Sequence, residues 1–310
     1  MTTALFSHPV CIEHDTGPYH PECSARLKAV MDALTDEAFT FLLRLEAPRA
    51  TIEQLLRVHP RQHVDHILRN APSGSGYFHI DMDTVMSAHS GEAALRAAGA
   101  VIAAVDAVID GTARNAFCAV RPPGHHAERD QAMGFCLFNN VAIGAQHARH
   151  AHGIKKIAVV DFDVHHGNGT QHLLQVDPDF FYASTHQANA YPGTGLEDEQ
   201  GCDRNVVNVP LPAGTGGIEF RAAFERVILP ALDQFAPDLV MISAGFDGHA
   251  ADPLAHLRLR TEDFGWVTRE LLALAQRHSN GRVVSALEGG YDLDALANSA
   301  AEHVRALMGS

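Results

Sequence analysis

IAVVDFDVHHGNG, residues 157–169, is the stretch on which the reading of this chain turns. Its apolar opening is rich in β-branched residues and predicts a buried parallel strand. Two acids, two histidines and two glycines follow at once, which predicts a site at the strand's carboxyl end. Because side chains alternate along an extended chain, Asp161, Asp163 and His165 are expected on one face of it. Open α/β sheets place their chemistry at that edge.

Working outward, further strands are predicted at 4–6, 116–120, 180–185, 206–211, 239–245 and 283–291. Helices are predicted at 21–34, 51–57, 60–70, 140–152, 169–175, 218–235 and 261–278, with another at the carboxyl end. Ser87 is expected to cap a long alanine-rich helix running to about residue 110. Prolines and a glycine in the segment 8–22, HPVCIEHDTGPYHPE, predict a loop carrying histidines and acids at the rim of a site. Strands alternating with helices throughout imply a mostly parallel sheet flanked by helices, and no linker interrupts the pattern, so residues 1–310 are read as one α/β domain.

Composition narrows the function. A chain of 310 residues, 46% hydrophobic and 19% charged, buries enough surface to fold without a metal, so any bound metal is expected to be functional. Net charge is −14 and no lysine or arginine run tracks a phosphate backbone, which excludes direct nucleic-acid binding from the expectations. Five scattered cysteines without C-x-x-C fit a reducing cytoplasm. No stretch is long and apolar enough for a membrane span, and no secretory leader is read at the start. Histidine, at 21 residues, is the unusual feature.

Parallel strands end on a common edge, so the residues after four of them can converge: 121–126, 161–165, 243–247 and 288–291. Asp163, His165 and Asp247 would then supply two carboxylates and an imidazole, a three-ligand set with an open position. Such ligands suit Zn²⁺ and also accept Fe²⁺ or Co²⁺. A metal held this way lowers the pKa of bound water from about 15.7 towards about 7. The adjacent His125 and His126, after a stiff proline pair, suit proton handling, and Tyr291 is a neutral donor at pH 7.

RPPGHHAE (121–128), GFCLFNNVAIGA (134–145), VVDFDVHHGNGTQ (159–171), YPGTG (191–195), SAGFDGHAADPL (243–254) and EGGYDL (288–293), in this order, resemble the zinc-dependent histone deacetylase superfamily. That superfamily includes bacterial deacetylase-like amidohydrolases and acetylpolyamine amidohydrolases, and the wording here is nearer its class II branch. The resemblance implies the arginase-deacetylase fold and hydrolysis of an acetyl-lysine or similar N-acyl amide. It also implies zinc on Asp163, His165 and Asp247, and a tandem pair His125 and His126 with Asp161 holding His125. Tyr291 would polarise the acyl oxygen. Gly134, Phe135 and Tyr191 match the lining of the substrate tunnel, and Asp81 or Asp83 the acid at its rim. A structural K⁺ would take carbonyls of Asp161, Asp163 and His165 with Ser184 and Thr185. Asn168, where class I members carry an acid, would partner His126, leaving it neutral as the general base while His125 carries charge.

Two features depart from the family pattern. Cys23 and Ser24 stand where many relatives have arginine and proline. Leu254 stands where the polyamine-specific branch has an acid, which makes acetyl-lysine or a small apolar N-acyl substrate the expectation over N-acetylpolyamine. Besides an N-acetylpolyamine or other small-molecule amidohydrolase on the same scaffold, the competing readings are a non-catalytic acyl-ligand binder and a dinuclear arginase-type hydrolase. The first predicts a missing ligand, base or tyrosine; the second needs extra bridging acids that Asn168 and the tandem histidines replace. Oligomeric state stays open, with a homo-oligomer compatible.

Overall fold

A computed structural model describes residues 2–309. Eight parallel strands form the central sheet: β1 (Thr3–Ser7), β2 (Leu43–Glu46), β5 (Asn115–Cys118), β6 (Ile157–Asp161), β7 (Phe180–Gln187), β8 (Val206–Leu211), β9 (Leu239–Ala244) and β10 (Val283–Leu287), in the order β2-β1-β5-β10-β9-β6-β7-β8. A separate antiparallel pair joins β3 (Phe78–His79) and β4 (Val85–Met86). Every residue of β5, β6, β9 and β10 is buried, which is why these segments read as unbroken apolar runs. They are also the four central neighbours in the sheet. The four strand ends singled out in the sequence therefore lie side by side.

Helices cover the sheet. The alanine-rich helix Ser90–Ile109 packs on β1, β5 and β10, and small side chains let its backbone approach closely. The helices Thr261–His278 and Leu293–Met308 pack on each other, and the first also touches β9 and the second β5. Among the described residues no helix is long and apolar enough to cross a membrane.

Several expectations need correction. β6 stops at Asp161, and the Asp163 amide donates to Asp161 Oδ1 at 3.1 Å, so Asp163 and His165 lie in a turn beyond the strand. A carboxylate accepting an amide two residues on ends extended backbone in this way. The long helix begins at Ser90 with His89 rather than Ser87 at its N-cap, and Ser87 Oγ instead accepts from the Asp15 amide. Segment 8–22 contains a short helix, Val10–Glu13, with Pro9 tolerated at its start. β2 escaped notice because four residues with alternating charge on a sheet edge read as loop. The helix predicted at 218–235 widens into a π-turn at Phe224–Ile228, just ahead of Pro230, whose ring cannot accommodate regular winding.

Candidate active site

Asp163, His165 and Asp247 meet at one point. One ligand atom from each lies within 4.8 Å of the others, and all three residues are buried. His165 Nδ1 stands 3.2 Å from Asp163 Oδ1 and 3.1 Å from Asp247 Oδ2. Backbone amides aim the carboxylates: Val164 donates to Asp247 Oδ1 at 2.9 Å, and Gly289 donates to Asp163 Oδ2 at 2.8 Å. Gly289 is required by this approach, since a Cβ there would fall 2.1 Å from Asp247 Oδ2 and 2.5 Å from Asp163 Oδ2. Burial opposes a charged imidazole, yet the two carboxylates push His165 up to about 10. Two dry carboxylates thus demand a positive charge at this point. Their donor set, oxygen and nitrogen without thiolate, fits a divalent ion such as zinc.

The tandem histidines lie beside this trio with their rings 4.0 Å apart. His125 Nδ1 faces Asp161 Oδ2 at 3.0 Å, and that oxygen also accepts from Tyr182. Burial alone would lower the His125 pKa, but Asp161 and then Asp163 hold it well above the usual value. His126 moves the other way, held well below by burial first and then by the positive neighbours His125 and His165.

His126 Nδ1 faces Asn168 Oδ1 at 2.8 Å, while Asn168 Nδ2 donates to Glu128 Oε1 at 2.5 Å. Glu128 can only accept, so it fixes which end of the amide faces it. The oxygen must therefore point at His126, whose Nδ1 carries the proton and whose Nε2 keeps a free lone pair. Glu128 lies inside the RPPGHHAE motif, but the sequence does not show this role.

Glu288, which opens the converging segment 288–291, is a second residue whose role the sequence does not show. Its buried carboxylate accepts from the Gly124 amide at 2.7 Å, the His125 amide at 3.2 Å and Ser243 Oγ at 3.1 Å, which ties the histidine loop to the ends of β9 and β10. Asp252 is a third. It accepts from the Tyr291 amide at 2.7 Å and the Leu254 amide at 3.0 Å, so it joins those two loops. Burial raises the Tyr291 pKa well above the ordinary phenol value, which keeps the hydroxyl protonated. The Arg26 guanidinium stacks 4.8 Å from the Tyr291 ring centroid and donates to the Gly290 carbonyl. Segment 8–22 owes its order to this interior. Glu22 is fully buried and pairs with Arg26 and Arg121, so it is no solvated rim acid.

Phe135 packs edge-on against Tyr291 with centroids 5.9 Å apart, and Tyr191 packs edge-on against His126 at 5.0 Å. Gly134, at positive φ, lies against the His126 ring, where a Cβ would come within 2.5 Å of Cδ2. Asp81 Oδ1 accepts the amides of Asp83 and Thr84, and Thr84 Oγ1 accepts the Phe135 amide, so the segment carrying Asp81 and Asp83 connects to Phe135. Leu254 is 40% exposed on its loop. Ser184 stands opposite Asp161 across β6 and β7 and pairs with His186 Nδ1, whereas Thr185 keeps a buried hydroxyl without a partner in the structure.

The histone deacetylase domain model matches residues 20–307. The chain is 42% identical to "Histone deacetylase 14, chloroplastic" of Arabidopsis thaliana, over 94% of this chain and 73% of the relative. It is 38% identical to the histone deacetylase-like amidohydrolase of Pseudomonas aeruginosa, over 93% of this chain and 81% of the relative. The crystal structure of the HDA15 HD domain superposes with a TM-score of 0.93 at 36% identity, covering 100% of this chain and 88% of that one. The chain belongs to the histone deacetylase family and has its arginase-deacetylase fold. It is accordingly a deacetylase-type hydrolase, acting on C–N bonds other than peptide bonds.

Proposed function

We propose that this deacetylase removes acetyl or a related small acyl group from acyl-lysine, or from a similar N-acylated amine, as one catalytic domain spanning residues 1–310. The observation that carries the reading is the convergence of Asp163, His165 and Asp247 beside a histidine whose Nε2 is left free to accept a proton.

Asp163, His165 and Asp247 would hold zinc, on which the family generally depends, and Fe²⁺ or Co²⁺ would fit the same donors. When bound, the ion supplies Lewis-acid polarisation of the acyl carbonyl and acidifies a water molecule. His126 Nε2 takes the proton from the attacking water. His125, held charged by Asp161, favours the developing negative charge, and the neutral Tyr291 hydroxyl donates to the acyl oxygen. A histidine of the pair returns the proton to the departing amine. Gly134, Phe135 and Tyr191 sheathe the acyl chain and exclude water, while Asp81 or Asp83 accepts backbone amides of the substrate at the rim. Potassium would draw on the carbonyls of Asp161, Asp163 and His165 with Ser184 and Thr185, and the unpartnered Thr185 hydroxyl supports that fit. Five unbridged cysteines support a reducing compartment such as the cytoplasm.

Leu254 favours an uncharged group beyond the acylated amine over a polyamine tail, because leucine cannot pair a distal ammonium. Turnover of an acetyl-lysine peptide against acetylputrescine tests this choice. Higher kcat/KM for the peptide is expected, and a preference for acetylputrescine would refute it.

A further inference from the structure

The histidines outside the active site are not spread evenly. His147 Nε2 and His152 Nε2 both face the same oxygen, Asp106 Oδ1, at 2.7 Å and 2.6 Å. All three potential ligand atoms lie within 4.8 Å of one another. Asp106 comes from the helix Ser90–Ile109, and both histidines from the helix Asn140–His152 packed against it. We propose that Asp106, His147 and His152 form a second divalent-metal site that clamps these two helices from outside.

Two imidazoles and one carboxylate are the donors that borderline ions such as zinc, nickel and copper choose. His147 is nearly buried, whereas His152 and Asp106 are partly exposed, which leaves room for water to complete the shell. His152 closes its helix, where the backbone carbonyls present partial negative charge, and Asp110 lies near enough to His152 to add more. Bonds of about 2.0–2.1 Å in a tetrahedral shell set ligand atoms about 3.3 Å apart, so the two distances from the histidines to Asp106 Oδ1 must lengthen by roughly 0.6 Å. Side-chain torsions of the two exposed residues supply that.

One neighbour competes. Arg57 Nη1 lies 3.2 Å from His147 Nδ1, and Nδ1 must carry the ring proton once Nε2 binds a metal. Arg57 therefore has to turn away, and Glu53, 3.7 Å from its other terminal nitrogen, is already placed to receive it. It follows that Arg57 weakens the site.

The test titrates zinc chloride into the full chain carrying Asp247→Asn, which disables the first trio, so that binding reports on the surface site alone. One zinc per chain is expected. Adding His152→Gln or Asp106→Asn should lower affinity by more than about 100-fold, beyond what outer-sphere changes commonly cost. Adding Arg57→Ala should tighten binding. In the otherwise native chain, His152→Gln should leave deacetylase activity unchanged and remove one zinc of two. Absence of zinc binding by the Asp247→Asn chain, retention of full affinity after His152→Gln and Asp106→Asn, or weaker binding after Arg57→Ala would each overturn the proposal.

Discussion

Asn168→Asp probes the group that faces His126. In the native arrangement a neutral amide accepts from His126 Nδ1 at 2.8 Å, and Glu128 fixes its orientation. A carboxylate at position 168 would place a negative charge about 4 Å from the imidazolium centre. At an effective dielectric near 20 that attraction is worth about 4 kcal/mol, or about three pKa units. Part of this is spent on burying the new charge beside Glu128, so a rise of at least about one unit in the His126 pKa is expected. A general base works only when deprotonated. The acid limb of kcat/KM therefore moves to higher pH by the same amount, with activity reduced at the acid end of the profile and recovered as pH rises. Combining Asn168→Asp with Glu128→Gln relieves the clash of two carboxylates and should enlarge the shift. The assay is a pH profile of kcat/KM from pH 5.5 to 10 for wild type, single and double variants. An acid limb that stays within about 0.3 pH units of wild type in both variants would refute His126 as the base and the orienting role of Glu128.

Tyr291→Phe keeps the ring that packs on Phe135 and Arg26 but removes the hydroxyl, and kcat should fall about 10²- to 10³-fold with KM little changed, as steady-state kinetics on an acetyl-lysine peptide would show. Gly289→Ala forces a Cβ against both carboxylates of the trio, so zinc content measured after dialysis should drop while circular dichroism stays native. Glu22 is held at about 2: burial would raise it, but Arg121 above all outweighs burial. Its folded value lies below the unfolded one of about 4.5, so its stabilisation is present above pH 4.5 and is lost as pH falls towards 2. Glu22→Gln should cost roughly 3–5 kcal/mol in denaturant unfolding at pH 7, and the gap to wild type should narrow at pH 3.

The sequence by itself determined the sheet and the identity of the converging strand ends. Runs such as LVMISA and VVSAL admit only a buried parallel strand, and polar residues directly after such runs must lie on one sheet edge. That reasoning brought Asp163, His165 and Asp247 together from positions 84 residues apart. Ordered motifs along nearly the whole chain carried the resemblance to the family, and those at 121–128, 159–171, 243–254 and 288–293 lie at or just after the carboxyl ends of four strands.

What only the tertiary structure decided was how each of those groups is held. Glu128, Glu288 and Asp252 act on partners distant in the chain, and a lone acid in a motif gives no sign of which amide or imidazole it will meet. The segment 8–22 is anchored where Glu22 is buried between Arg26 and Arg121, an ion network spanning about a hundred residues that no local pattern encodes. Period-two reasoning placed Asp163 on a strand, whereas its amide turned back to Asp161, because a local hydrogen bond to the Asp161 carboxylate replaced extended geometry there although neighbouring strands run on. Local sequence sets which side chains reach the edge; contacts made across the folded chain set their protonation and aim.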